Sequence, residues 1–193
     1  MSSIIIYEST PNPNSMKFVV TDRQIASDTI AFQNSEEALR SPLARKLFGF
    51  PWASQILIGP NFVTVTKQEW VDWKILAEPL ASLIEEHIVR GEPVLSDANH
   101  ASAKRTDRTA AVVEPAPNAP IEERLEFIIE TQIRPAVAMD GGDVALSRFD
   151  RGVVYLEMRG ACSGCPSASL TLKEGIEVRL KEIFPEVQAV ESI

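Results

Sequence analysis

Short β-branched and alternating apolar runs dominate the first seventy residues, and helical spacing takes over afterwards. Ile4-Ile5-Ile6-Tyr7 predicts a first strand. Thr10-Pro11-Asn12-Pro13-Asn14-Ser15 then has only turn chemistry, and Met16 to Val20 predicts a second strand. Ser41 is placed to cap a helix with Pro42 in its first turn, running over Leu43 to Phe48 and stopping at Gly49. Gln55 to Ile58, Gly59-Pro60-Asn61 and Phe62 to Lys67 read as a hairpin with a three-residue loop. Trp73, Leu76, Ala77, Leu80, Leu83, Ile84 and Ile88 share one helical face. Pro79 falls inside that pattern and predicts a kink or break near Glu78.

The last third carries a cleaner pattern. Ile121, Leu125, Ile128, Ile129 and Ile133 form an apolar helical stripe, with Glu122 and Glu123 at the favourable end of the helix dipole. Pro135 is expected to limit this helix. Met139-Asp140-Gly141-Gly142-Asp143 reads as a turn, and Val144 to Phe149 and Gly152 to Met158 as a hairpin about Asp150-Arg151-Gly152. Pro166 opens a helix carrying Leu172, Ile176, Leu180 and Ile183, stopped by Pro185. Val187 to Val190 is a final short strand.

Between these parts, Pro93 to Pro120 holds four prolines and no aromatic residue. Such a stretch buries too little apolar surface to offset its ordering entropy. It predicts a flexible linker spanning roughly 30 Å as a random coil. The fold class expected is therefore α+β, a mixed α/β chain of two small domains joined by a flexible linker. The boundaries are 1–92, 93–120 and 121–193, with an α-β-β-α-β order in the second domain.

Charge narrows the partners. The formal net charge is −8, with 8 basic and 11 acidic side chains in residues 1–92 and 8 and 13 in residues 121–193. A general nucleic-acid binder needs a basic surface, so nucleic acid is not an expected partner. No apolar run approaches the 18 or so residues of a membrane span, so no membrane association is expected. The opening Met1 to Glu8 lacks both a basic n-region and an Arg-rich transit pattern. Two cysteines make no disulfide framework. Together these features predict a cytoplasmic protein.

The two cysteines are the chemistry-bearing residues. They lie in Gly160-Ala161-Cys162-Ser163-Gly164-Cys165-Pro166-Ser167. The Cys-x-x-Cys spacing lets both sulfurs face one centre, but tetrahedral thiolate sites for zinc or iron–sulfur clusters usually need four ligands. One chain thus offers half a site. The helix opening at Pro166 places its positive end beside Cys165, which predicts lowered thiol pKa values. The same features occur in dithiol redox sites. Those pairs follow a strand in a βαβ unit, whereas the strand before Cys162 is read here as part of a hairpin. A metal or cluster ligand pair, a redox dithiol and a buried cysteine pair all remain open on the residues alone.

Other residues carry weaker signals. His87 and His100 have no metal-ligand spacing to each other or to a cysteine, and surface or semi-buried packing is expected. Trp52, Trp70 and Trp73 suit either a core or a partner surface. Asp140 and Asp143 flank a double glycine and are read as turn residues rather than an acid–base pair. Arg159 is read as a solvated arginine that stands near enough to screen an anionic centre. Phosphate-loop chemistry has no support.

Three stretches together form a longer pattern. Asp140-Gly141-Gly142-Asp143-Val144, the cysteine loop, and Thr171 to Glu177 resemble the NifU-like C-terminal domain of Nfu-type proteins. Pro11 to Phe18, Ser41-Pro42-Leu43-Ala44 and Asn61 to Lys67 resemble the Nfu N-terminal domain. The resemblance implies an iron–sulfur scaffold or carrier rather than an enzyme. It implies a labile [4Fe-4S] cluster bridging two chains, held by Cys162 and Cys165 of each, with [2Fe-2S] left open as a second form. It further implies homodimerisation on cluster binding, upstream cluster-assembly proteins as donors, and apo iron–sulfur proteins as recipients. The first domain has no cysteine, so partner recognition or fold support is its expected role. A dithiol-disulfide oxidoreductase is the alternative, and a zinc dimer through the same four thiolates is the third reading.

Overall fold

A computed structural model describes residues 4–96, 114–116, 118–163 and 166–193. The chain divides into two compact units, Met1–Lys104 and Arg105–Ile193, each with its own core. The central part of the expected linker, 97–113, lies outside the described residues, as do His100, Gly164 and Cys165.

The first unit is an antiparallel sheet covered on one face by helices. Its strands are β1 (Ile5–Ser9), β2 (Ser15–Val20), β3 (Ile30–Phe32), β4 (Ala53–Ile58) and β5 (Phe62–Lys67), in the order β1-β2-β5-β4-β3. The helices are α1 (Pro42–Phe48) and α2 (Trp73–Val89), with a short 3₁₀ turn at Glu37–Arg40. Leu43, Leu47, Leu80 and Ile84 pack against Phe18, Ile56, Ile58, Val63 and Val65. The α1 boundaries follow the local code. Ser41 Oγ accepts from Ala44 N at 3.0 Å, Pro42 occupies the first turn, and Gly49 is the C-cap.

Pro79 does not break α2, which runs uninterrupted from Trp73 to Val89. The proline is exposed, while Ala77, Leu80, Ala81 and Ile84 bury the opposite face. That packing outweighs one lost backbone hydrogen bond. The edge strand β3 has no sequence signal of its own: three residues form it by pairing Ile30, Ala31 and Phe32 with Ile58, Leu57 and Ile56.

The tryptophans separate into different roles. Trp52 is buried and stacks on Phe50 at 5.1 Å. Trp73 packs edge-on to Phe18 and donates from Nε1 to Pro13 O at 3.0 Å. Trp70 is 71 % exposed. Residues at the start of the expected linker also join this unit. Val94 and Leu95 pack on its core, Ser41 Oγ donates to Val94 O at 2.5 Å, and Ser96 N donates to Arg40 O at 2.8 Å.

The second unit has a helical arm α3 (Ile121–Ile128), a π-type turn (Ile129–Ile133) and α4 (Arg134–Met139). Strands β6 (Gly142–Asp150) and β7 (Val153–Gly160), helix α5 (Pro166–Ile183) and strand β8 (Ala189–Ser192) follow. The α-β-β-α-β order matches expectation. The β6–β7 hairpin turns through Arg151 and Gly152, both at positive φ, as a two-residue type I′ turn demands. Strand β8 pairs parallel to β7, so β7, α5 and β8 form a βαβ unit as well as a hairpin with β6. Its strand starts at Ala189, because Val187 is spent as a core residue in the preceding turn.

Pro135 does not end the arm at all. It sits in the first turn of α4, and the π-type turn before it lets Arg134 N donate to Ile129 O, five residues back. The wide turn shifts the hydrogen-bond pattern so that the proline's missing donor is tolerated.

Ser41 joins α1 to the Val94 carbonyl, so Ser41→Ala is expected to destabilise the first unit by about 1–2 kcal/mol. Urea unfolding followed by tryptophan fluorescence measures this, since all three tryptophans lie between residues 52 and 73.

Candidate functional site

The site forms where the open ends of β6 and β7 meet the starts of Cys162's loop and of α5. Gly142 pairs with Gly160 and Asp143 with Arg159 across the hairpin. Ala161 N donates to Gly141 O at 3.2 Å, continuing the ladder one step past the strands. Ser163 closes the loop onto Gly160 O through both its backbone N, at 3.1 Å, and its Oγ, at 2.9 Å. The chain then reaches Cys165 and enters α5 at Pro166.

Cys162 is 5 % exposed and belongs to the apolar core of this unit. Its sulfur fits only because position 142 has no side chain. A Cβ there would lie 2.1 Å from Cys162 Sγ and 3.2 Å from both Cys162 Cβ and Val137 Cγ1. The double glycine is thus more than a turn: Gly142 begins a strand and makes the space the thiol occupies.

Electrostatics at Cys162 run against the sequence expectation. Burial, and then the charges of Asp140 and Asp143, push its thiol from an ordinary 9.0 up to about 12. The predicted lowering by the α5 N-terminus is therefore overturned at Cys162, where desolvation dominates. Cys165, nearer that helix, lies outside the described residues.

Asp143 is the residue whose role the sequence concealed. It is 1 % exposed, not a solvated turn residue. Arg134 Nε donates to its Oδ1 at 2.6 Å and Nη2 to its Oδ2 at 3.4 Å. Burial pushes the carboxyl upward, and Arg134 opposes that shift. Arg134 also binds Glu130 at 2.8 Å, one turn back on the helical arm. Arg159 lies 3.9 Å from Asp143 and pairs with Glu157 at 2.8 Å, so it is not a lone solvated arginine. A Glu130–Arg134–Asp143–Arg159–Glu157 chain thereby ties the helical arm to the hairpin end that carries Gly142. The only sequence signal for it was an acidic residue one step from a double glycine.

His87 is in the other unit. It is fully buried, beyond the surface or semi-buried placement expected, with Nε2 3.2 Å from Pro93 O and its pKa lowered by burial. Its Nδ1 stands 3.3 Å from Glu92 Oε2, close enough for an ion pair on protonation but without hydrogen-bond geometry. Among the described residues, no group of three His, Cys, Asp or Glu converges for a metal ion. Among them, too, no helix is long and apolar enough to cross a membrane.

The β7–α5–β8 crossover also removes one sequence argument against redox chemistry, since the cysteine loop does follow a strand of a βαβ unit. The thiol itself argues the other way. A nucleophilic redox cysteine has a lowered pKa, and Cys162 has a raised one.

Comparison with known proteins covers both units. Residues 5–91 match the family described as scaffold protein Nfu/NifU N terminal, and residues 125–191 match the NifU-like domain. The chain is 35% identical over 190 residues to the human NFU1 iron-sulfur cluster scaffold homolog, mitochondrial, covering 96% of this chain and 70% of that protein. It is 39% identical over 186 residues to NifU-like protein 4, mitochondrial, of Arabidopsis thaliana, covering 95% and 64%. It is 37% identical over 188 residues to a NifU-like protein of Schizosaccharomyces pombe, covering 95% and 70%. The chain thus spans about two thirds of these relatives' length. The expected cytoplasmic location is overturned, since the human and Arabidopsis relatives are named mitochondrial. Compartment is not encoded in the residues that build the two units.

The close fit at Gly142 yields a direct test. Gly142→Ala is expected to expel the Cys162 sulfur from its core position, giving several-fold faster alkylation by iodoacetamide at pH 8, read by mass spectrometry. An unchanged rate would show that the thiol does not sit against this backbone. In the unsubstituted protein, the raised thiol pKa means that Cys162 favours folding below about pH 9. That contribution is lost as pH climbs toward 12.

Proposed function

The chain belongs to the Nfu/NifU scaffold family, and on that premise we propose that it carries an iron–sulfur cluster as cargo. The cargo is a labile [4Fe-4S] cluster held between two copies by Cys162 and Cys165 of each, with [2Fe-2S] as a second form. The protein receives it from upstream assembly proteins and passes it to apo iron–sulfur proteins by ligand exchange. It acts as a carrier and not as an enzyme.

The observation that carries this reading is the thiol inventory in its setting. One chain has two cysteines, both in one loop at the end of a hairpin. Four thiolates complete a cluster, so two chains supply a full set. The chain is uncharged from Gly160 to Leu172, and the N-terminal end of α5 favours an anionic centre. The first unit has no thiol to offer and is assigned to partner recognition or fold support.

A dithiol oxidoreductase is the second reading, favoured by the βαβ setting of the cysteine pair. It is ranked lower because Cys162, the first cysteine of the pair, is buried and poorly ionised.

Anaerobic reconstitution with iron and sulfide separates the two. Uptake of about two irons per chain, a dimer mass and a visible band bleached by dithionite support the carrier. Cys162→Ala and Cys165→Ala are each expected to abolish uptake while leaving the far-ultraviolet circular dichroism unchanged. A stoichiometric cluster retained by either variant would sink the assignment. Disulfide turnover without metal would put the redox reading first.

A further inference from the structure

The acidic residues beside Cys162 sit oddly with an anionic cargo. A cluster bound by four thiolates carries net negative charge, because the thiolates outweigh the positive iron–sulfur core. The cysteine loop contributes no charge of its own between Gly160 and Leu172. The stretch that meets it, Asp140 to Asp143, carries two carboxylates. Asp140 caps the end of α4, next to Gly141, whose carbonyl receives Ala161 N. Gly142, two residues on, lies against Cys162 Sγ. The carboxylate therefore belongs to the same short stretch that cradles the sulfur.

Basic residues that would offset this charge are already committed. Arg134 is held by Asp143 and Glu130. Arg159 is held by Glu157 and faces Asp143. These five side chains carry three negative and two positive charges. Asp140 takes part in none of these pairs and is exposed.

We propose that Asp140 sets the ease of cargo release: its carboxylate repels the anionic cluster at Cys162 and keeps the carrier's grip weak enough for transfer. The inference rests on the carrier reading above and deepens it. Release proceeds by ligand exchange. Each iron–Cys162 bond that breaks is replaced by a bond to an acceptor thiolate, the acceptor's proton passes to the departing thiolate, and no electron changes hands. Asp140 touches none of the reacting atoms. It raises the energy of the bound state through its charge, whereas the α5 N-terminus lowers it. The carrier's affinity is the balance of the two.

This assignment predicts a substitution that tightens binding, the reverse of what a purely structural residue does. The full chain, its Asp140→Asn and its Asp140→Glu variants are reconstituted, and cluster loss to excess iron chelator is followed by the visible band. Asp140→Asn is expected to slow loss roughly two- to tenfold at low salt. The gap is expected to close as ionic strength rises. Asp140→Glu restores the charge and is expected to match the unsubstituted chain. The Asn variant's cluster is also expected to reduce at a more positive potential, which a change in fold stability alone would not produce. Asn suits a helix C-terminus, and the position is exposed, so the fold is retained.

Loss at an unchanged or faster rate in Asp140→Asn, or a difference that salt does not alter, overturns the assignment and leaves the carrier reading intact. Failure of the unsubstituted chain to take up iron and sulfide overturns both.

Discussion

The second unit depends on the approach of one sulfur to one backbone. Cys162 Sγ occupies the space that any side chain at position 142 would fill. That contact fixes the pairing of Gly142 with Gly160 and hence where the loop leaves the hairpin. A mixed ion-pair network converges on the neighbouring residue. Asp143 is buried only because Arg134 meets it with two donors, and Arg134 is in reach because a π-type turn precedes it. An unpaired carboxylate at this depth would cost several kcal/mol. The hairpin end, the helical arm and the cysteine loop are thus one mechanical assembly.

The same assembly shapes the chemistry of the thiol. Desolvation favours the protonated form of Cys162 and makes it a slow nucleophile. The α5 dipole favours an anion here, while Asp140 and Asp143 oppose it. A resident cofactor would be served by the first influence alone. On the proposed carrier reading, a cargo that is both held and surrendered is served by the opposition of the two.

The first unit is organised around a different need. It has no thiol, but it secures its own exit segment with several long-range bonds. Ser41 reaches Val94, Arg40 reaches Ser96, and the buried His87 reaches Pro93. These contacts join residues more than forty positions apart, except at His87. The boundary of the unit is therefore set by packing and hydrogen bonding past Pro93, where composition alone marks only the loss of aromatic residues.

Features decided within a few residues of chain were legible in the sequence. Ser41-Pro42 and Gly49 delimit α1, the Arg151-Gly152 turn joins β6 to β7, and Pro166 opens α5, because caps and turns are local hydrogen-bond and dihedral problems. The two cysteines of one loop were legible too as the thiols this chain offers, since they follow from counting. Features that depend on what a residue packs against were not. Pro79 passes through α2 because the opposite face packs on the core, and Pro135 is tolerated because a π-type turn precedes it. Ile30 to Phe32 becomes a strand only beside β4. Asp143, read as a turn residue, and His87, read as surface or semi-buried, are both fully buried by tertiary partners. Sequence determined which chemistry this chain owns. Only the folded structure decided how that chemistry is tuned, because desolvation and charge pairing are set by neighbours far away along the chain.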